Sequence, residues 1–151
     1  MCVPVMGVQR FQHFFRAAAG LDVDKEDLKR YNDFAEQKIY DLVVVGQTAA
    51  GANGRDVLIP SDLPITKGLQ RSIHEFKELD EQIELRPILE TLAERYPPNL
   101  TLDVETEARL PSVLGGVSVA LARSFKLVDP HLENPRTSHW EFAFRLFDLL
   151  L

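Results

Sequence analysis

Water-avoiding positions recur every three or four residues along most of this 151-residue chain, the spacing of one face of an α-helix. The longest run places Leu28, Tyr31, Ala35, Ile39, Leu42, Gly46, Ala49 and Asn53 on one face and predicts an unbroken helix from about Lys25 to Asn53. That is about twice the usual helix length. At ~1.5 Å per residue the rod spans roughly 40 Å and crosses the whole of a domain this size. Before it, Val8, Phe11, Phe15 and Ala18 predict a short helix over 8–19 that Gly20 stops, with residues 1–7 as a frayed start. Asp24 is suited to cap the long helix, and Asn53-Gly54 to end it. Val57-Leu58-Ile59 reads as a short extended link. Ser61 as N-cap, with Pro64 in the first turn, predicts a third helix carrying Leu69, Ile73 and Phe76 to about Leu79.

The same order then returns. Pro87 begins a short helix with Ile88, Leu89 and Leu92, which Pro97-Pro98 ends. Asp103 opens a second long segment, roughly Val104 to Val128, interrupted at Pro111 and Gly115-Gly116, with a kink expected near the proline. Ser138 with Glu141 reads as the capping box of a last helix. Its Trp140, Phe144, Phe147 and Leu151 form one stripe and Ala143, Leu146 and Leu150 another. A helix apolar on so many sides needs covering, by this chain or by an oligomer partner. The expectation is an all-α chain, one compact domain over 1–151 with halves 8–79 and 80–151 that repeat in element length and not in residue identity.

A rival reading of Leu42-Val43-Val44-Val45 followed by Gly46 to Gly51 is a buried strand entering a phosphate-binding loop. Such a loop needs Lys and then Ser or Thr after its second glycine, and Ala52 and Asn53 stand there. The valines also continue the helical register of Leu28 to Ile39, so the helix is preferred. Gly46, Ala49, Ala50 and Gly51 then mark a place where another helix crosses closely.

Composition adds a constraint. The net charge is −6, and the halves divide it unequally: residues 1–78 hold 10 Lys and Arg against 11 Asp and Glu, and residues 79–151 hold 7 against 12. Averaged over the surface this repels nucleic acid and anionic membranes. The lone Cys2 has no internal disulfide partner and points to a reducing compartment, most simply the cytoplasm. No segment reads as a signal peptide or a membrane span, so no membrane association is expected.

Residues in the first half carry a resemblance. Phe14-Phe15-Arg16-Ala-Ala-Ala-Gly-Leu-Asp-Val-Asp-Lys-Glu-Asp resembles the first helix, first loop and second-helix cap of archaeal histones. Gly54-Arg55-Asp-Val-Leu-Ile-Pro-Ser-Asp62-Leu63 resembles their second loop, where an arginine and an aspartate seven residues later form an ion pair. The resemblance implies that Arg55 and Asp62 brace this loop. Over the whole length the chain is similar to a small bacterial family, without a settled function, in which two histone folds are fused into one pseudodimer. The second half matches in layout alone; the loop from Leu132 to His139 has no equivalent brace.

Histones hold duplex DNA by basic side chains on the first helix and both loops. Aligned on the resemblance, His13, Asp22, Asp56 and Ile59 replace basic residues, and the two aspartates reverse the charge. Arg10, Arg16, Lys25, Lys29 and Arg30 remain as candidate DNA contacts, interleaved with acids.

Other chemistry is sparse. His13, His74, His131 and His139 lack metal-ligand spacing and read as surface or capping residues, so no metal or cofactor is expected. Gly116-Val-Ser118 imitates a nucleophile elbow without its strand or final glycine. Trp140, Phe142, Phe144 and Phe147 read as core. The functional expectation is a non-enzymatic association module that binds another protein or a second copy of itself. The alternative is a sequence-independent, nucleoid-associated DNA binder; a third reading is a ligand binder or enzyme whose site forms only in three dimensions.

Overall fold

A computed structural model describes residues 5–150; Cys2 and Leu151, on which two of the expectations rest, lie outside them. Six helices and two very short strands follow in the order α1 Val5–Ala19, α2 Lys25–Ala52, β1 Val57–Leu58, a 3-10 turn Pro60–Asp62, α3 Lys67–Ile83, α4 Arg86–Ala93, β2 Thr101–Leu102, α5 Val104–Val128 and α6 Thr137–Leu150. The chain is mostly helical, and α1 begins before the expected residue 8.

Leu42 to Val45 are helical and α2 continues to Ala52, which removes the phosphate-loop reading. Asp24 begins α2 with a reciprocal cap: its carboxylate accepts from Asp27 N at 2.8 Å and Asp27 Oδ2 accepts from Asp24 N at 3.0 Å. Against expectation, no helix fills the gap at Gly46. A Cβ there would lie 2.7 Å from Leu58 Cδ2, so the glycine admits β1 and the turn after it, while Gly51 faces open space.

The third helix starts five residues later than its sequence suggests. Ser61 sits inside the 3-10 turn, and Thr66 is the cap, accepting from Leu69 N at 3.2 Å. The carboxylate of Asp62 is already occupied by Arg55 and by Ile59 N, which commits this segment to a turn. The second long helix runs through Pro111 without interruption. Its glycines are where α3 packs most closely: a Cβ on Gly115 would strike the Phe76 ring, and one on Gly116 would lie 2.8 Å from the backbone N of Ile73. The Ser138–Glu141 box does not form. Thr137 opens α6, and the cap is the His139 ring, whose Nδ1 accepts from Arg136 N at 2.9 Å.

One continuous apolar cluster takes in residues from Phe11 to Phe147 and joins both halves. The halves also meet at two junctions. At one, β1 pairs in parallel with β2, Val57 opposite Thr101 and Leu58 opposite Leu102, and Asp103 N donates to Leu58 O at 3.0 Å. This ties the loop after the first long helix to the loop before the second. At the other, Asp22 N donates to Glu133 O at 2.7 Å, tying the loop before the first long helix to the loop after the second. Between α3 and α4 the joint is two residues long. Glu84 adopts a left-handed backbone (φ 56°), and Asp80 Oδ1 accepts from Leu85 N and Arg86 N at 2.6 and 3.1 Å.

Candidate functional site

Arg55 and Asp62 form a two-pronged ion pair, Nη1 to Oδ2 at 2.6 Å and Nη2 to Oδ1 at 2.8 Å, with Ile59 N donating to Oδ2 at 2.9 Å. The Arg55 donors, first of all, hold the Asp62 carboxyl down at about 2, and the same hydrogen bonding raises the Arg55 guanidinium. The pair lies directly beneath β1, since Arg55 Nη1 also reaches Val57 O at 3.1 Å.

The five cations proposed for DNA contact do not converge. Arg10 Nη1 donates to Glu84 O at 3.0 Å, at the joint between the halves. Arg16 pairs with Asp22 at 2.9 Å and Lys29 with Glu26 at 3.3 Å. Arg30 Nη2 donates to Thr137 Oγ1 at 2.7 Å, at the start of α6. Lys25 is exposed and makes no polar side-chain contact among the described residues. Asp22 thus engages Arg16, while Asp56 is exposed.

Two polar groups in the interior escaped the sequence reading. Tyr31 OH lies 2.7 Å from Ser118 Oγ, which donates to Leu114 O at 2.7 Å. This buried pair bridges the two long helices, burial pushes the Tyr31 hydroxyl up, and Ser118 lies within α5, without the strand that a nucleophile elbow needs. Lys38 is buried on α2 with its ammonium between Asp41 at 3.1 Å and Asp148 at 2.9 Å. Its place in the apolar register of α2 hid it: 34 and 38 are one turn apart, and Phe34 packs on Phe144 and Phe147 of α6.

The outer face of α6 is apolar and has no partner among the described residues. Trp140, Ala143 and Phe147 turn inward, leaving Phe142 49 %, Leu149 81 % and Leu150 68 % exposed. Phe142, expected in the core, is therefore on the surface. Asp148, within this stretch, is held by Lys38.

An open groove of about 860 Å³ lies between α3, the start of α4 and the first half of α5, walled by Pro60–Ile65 on its other side. Lys77, Arg86 and Arg109 line it. No sequence signal marks it, because its residues come from four separate segments. Among the described residues no three His, Cys, Asp or Glu side chains are grouped to hold a metal, and no helix is long and apolar enough to cross a membrane. His74 lies 3.2 Å from Glu78, and His13 and His131 are exposed.

Similar proteins share this whole architecture. A crystal structure of a Thermus thermophilus protein, 48 % identical, superposes with a TM-score of 0.84 over 95 % of this chain and 97 % of that one. A crystal structure of an Aquifex aeolicus protein, 22 % identical, has the same fold, with a TM-score of 0.83 over 96 % of this chain and 95 % of that one. Two Aquifex aeolicus (strain VF5) proteins, both described as uncharacterized, are 22 % and 30 % identical over 142 and 141 residues. These alignments take in 94 % and 82 % of this chain and 82 % and 80 % of the relatives. The model of a domain of unknown function, DUF1931, matches residues 11–148, and the chain belongs to that family.

Proposed function

We propose that the chain is a pair of tandem histone folds, clasped as an intramolecular pseudodimer, and that it is a non-enzymatic association module whose partner is a second copy of itself. What supports the fold reading is reciprocity: each half sends the loop on one side of its long helix to the opposite loop of the other half, through β1–β2 and through Asp22–Glu133. A histone fold buries its apolar face by clasping another, and here the partner is supplied by the same polypeptide.

The outer face of α6 carries the functional reading. Exposed Phe142, Leu149 and Leu150 keep their contact with water unless something covers them. A second copy suits this face on charge. The molecule is acidic overall, and like-charged copies repel. Along α6, however, Asp148 accepts from buried Lys38, and the exposed charges that remain are one acid, Glu141, and one base, Arg145. Repulsion between copies is therefore low along α6, and a two-fold contact needs only a surface that fits itself.

Sedimentation equilibrium over a wide concentration range tests this. The wild type is expected to self-associate, more strongly as salt screens the net charge. Leu149→Lys, at an exposed position, is expected to weaken association by about tenfold or more with the fold intact. A wild type that stays monomeric throughout overturns the reading. The DNA-binding alternative has weaker support, because Arg10, Arg16, Lys29 and Arg30 already have partners within the chain.

A further inference from the structure

We propose that the groove between α3 and α5 binds a small amphipathic anion, an aliphatic chain ending in a carboxylate or a phosphate.

The charge of the groove departs from that of the rest of the molecule. Lys77, Arg86 and Arg109 face it with Glu105 as the one acid, whereas each of four smaller grooves on the described surface is lined by more acid than base. In a chain of net charge −6 this local excess of cations draws an anion to one place. The cations also differ in how firmly they are held. Arg86 Nη1 donates to Ser112 Oγ at 2.7 Å and Nη2 to Ala108 O at 3.0 Å, which fixes the guanidinium plane against α5, while Nε lies 3.7 Å from Glu90 Oε1, outside the groove. Each terminal nitrogen keeps a second N–H, and a guanidinium set in one plane suits a two-oxygen acceptor. Arg109 is held by Glu105 at 2.5 Å. Lys77 makes no polar side-chain contact among the described residues and is exposed, so its ammonium is available to close over a bound headgroup.

The wall chemistry selects the remainder of the ligand. Leu63, Ile65, Ile73 and Val113 supply aliphatic surface, and no aromatic ring lines the groove. An alkyl chain gains from that surface, while a nucleobase has nothing to stack on. The volume, about 860 Å³, lies in the range of small-molecule sites. The groove keeps its shape because Gly115 and Gly116 seat α3 directly on α5 beside it, fixing Ile73 at its edge.

Titration calorimetry on the full chain, below micelle-forming concentrations, tests the proposal with four probes: sodium octanoate, octyl phosphate, 1-octanol and inorganic phosphate. At least one of the two ionic amphiphiles is expected to bind, and which one does identifies the headgroup. Octanol and phosphate alone are each expected to bind at least about tenfold more weakly, since each offers half of the recognition. Arg86→Gln is expected to weaken binding by about tenfold, the worth of a charge-assisted hydrogen bond. Because Arg86 also contacts α5, exposed Lys77→Gln serves as the second variant, with a loss of about threefold and unchanged thermal stability. Absence of heat with both ionic probes overturns the proposal. So does octanol binding as tightly as octanoate, or full affinity in both Lys77→Gln and a folded Arg86→Gln.

Discussion

Asp62 and Asp27 are buried to the same degree, one near each junction of the halves, and their acidities move in opposite directions. Asp62 takes two hydrogen bonds from a guanidinium and one from the backbone, and its carboxyl falls to about 2. Asp27 takes one from Asp24 N and one from the Trp140 indole at 2.9 Å, with Arg30 no closer than 3.8 Å. For Asp27 burial prevails and the carboxyl is raised. At Asp62 an aligned counter-charge outweighs desolvation, and at Asp27, without one, desolvation prevails.

The strongest test of this contrast is Arg55→Ala, which leaves Asp62 buried without its cation. We expect the melting temperature at neutral pH to fall by more than in either variant below, by at least several degrees. The pH dependence should change as well. A carboxyl depressed in the folded state stabilises above its ordinary value near 3.8, and that contribution is lost as pH falls through about 2. Thermal melts of the wild type should therefore show a loss over that window that Arg55→Ala largely lacks. Asp27 works the other way, because its burial cost is relieved as it takes up a proton.

Trp140→Phe comes next. It removes the indole donor from Asp27 while keeping an aromatic ring in the core, and should cost about 1–3 kcal/mol in denaturant unfolding. Arg16→Ala is the smallest. Its pair with Asp22 is 70 % and 55 % exposed, so the change should stay below about 1 kcal/mol. A large effect there would mean that the Asp22–Glu133 junction depends on the surface pair.

The long helices were legible because each keeps its apolar register for more than six turns, enough to outweigh Gly46 in one and Pro111 in the other. The start of α3 was not, because Ser61 and Thr66 are equally good caps on local grounds. What separates them is Asp62, committed to an arginine seven residues back. Ser138 lost its capping role to a histidine ring for a similar reason, as the helix opens two residues earlier and brings His139 to the third position. Phe142 was assigned to the core as one of a cluster of aromatic residues, although it lies on neither apolar stripe of the last helix, and the stripe positions were the better guide. The pairing of Arg55 with Asp62 was expected only because residues 54–63 resemble the second loop of archaeal histones. The α3–α5 groove was not, because its walls meet only after residues 60–65 and 105–113 are brought together by folding.

The joint at Glu84–Leu85 bears on assembly. With two residues between Ile83 and Arg86, a left-handed Glu84 and Asp80 gripping the next two amides, the fold-back of α4 on α3 is short and strained. Straightening α3 into α4 would relieve that strain, so loss of the Asp80 contacts would favour exchange of the segment from α4 onward between molecules.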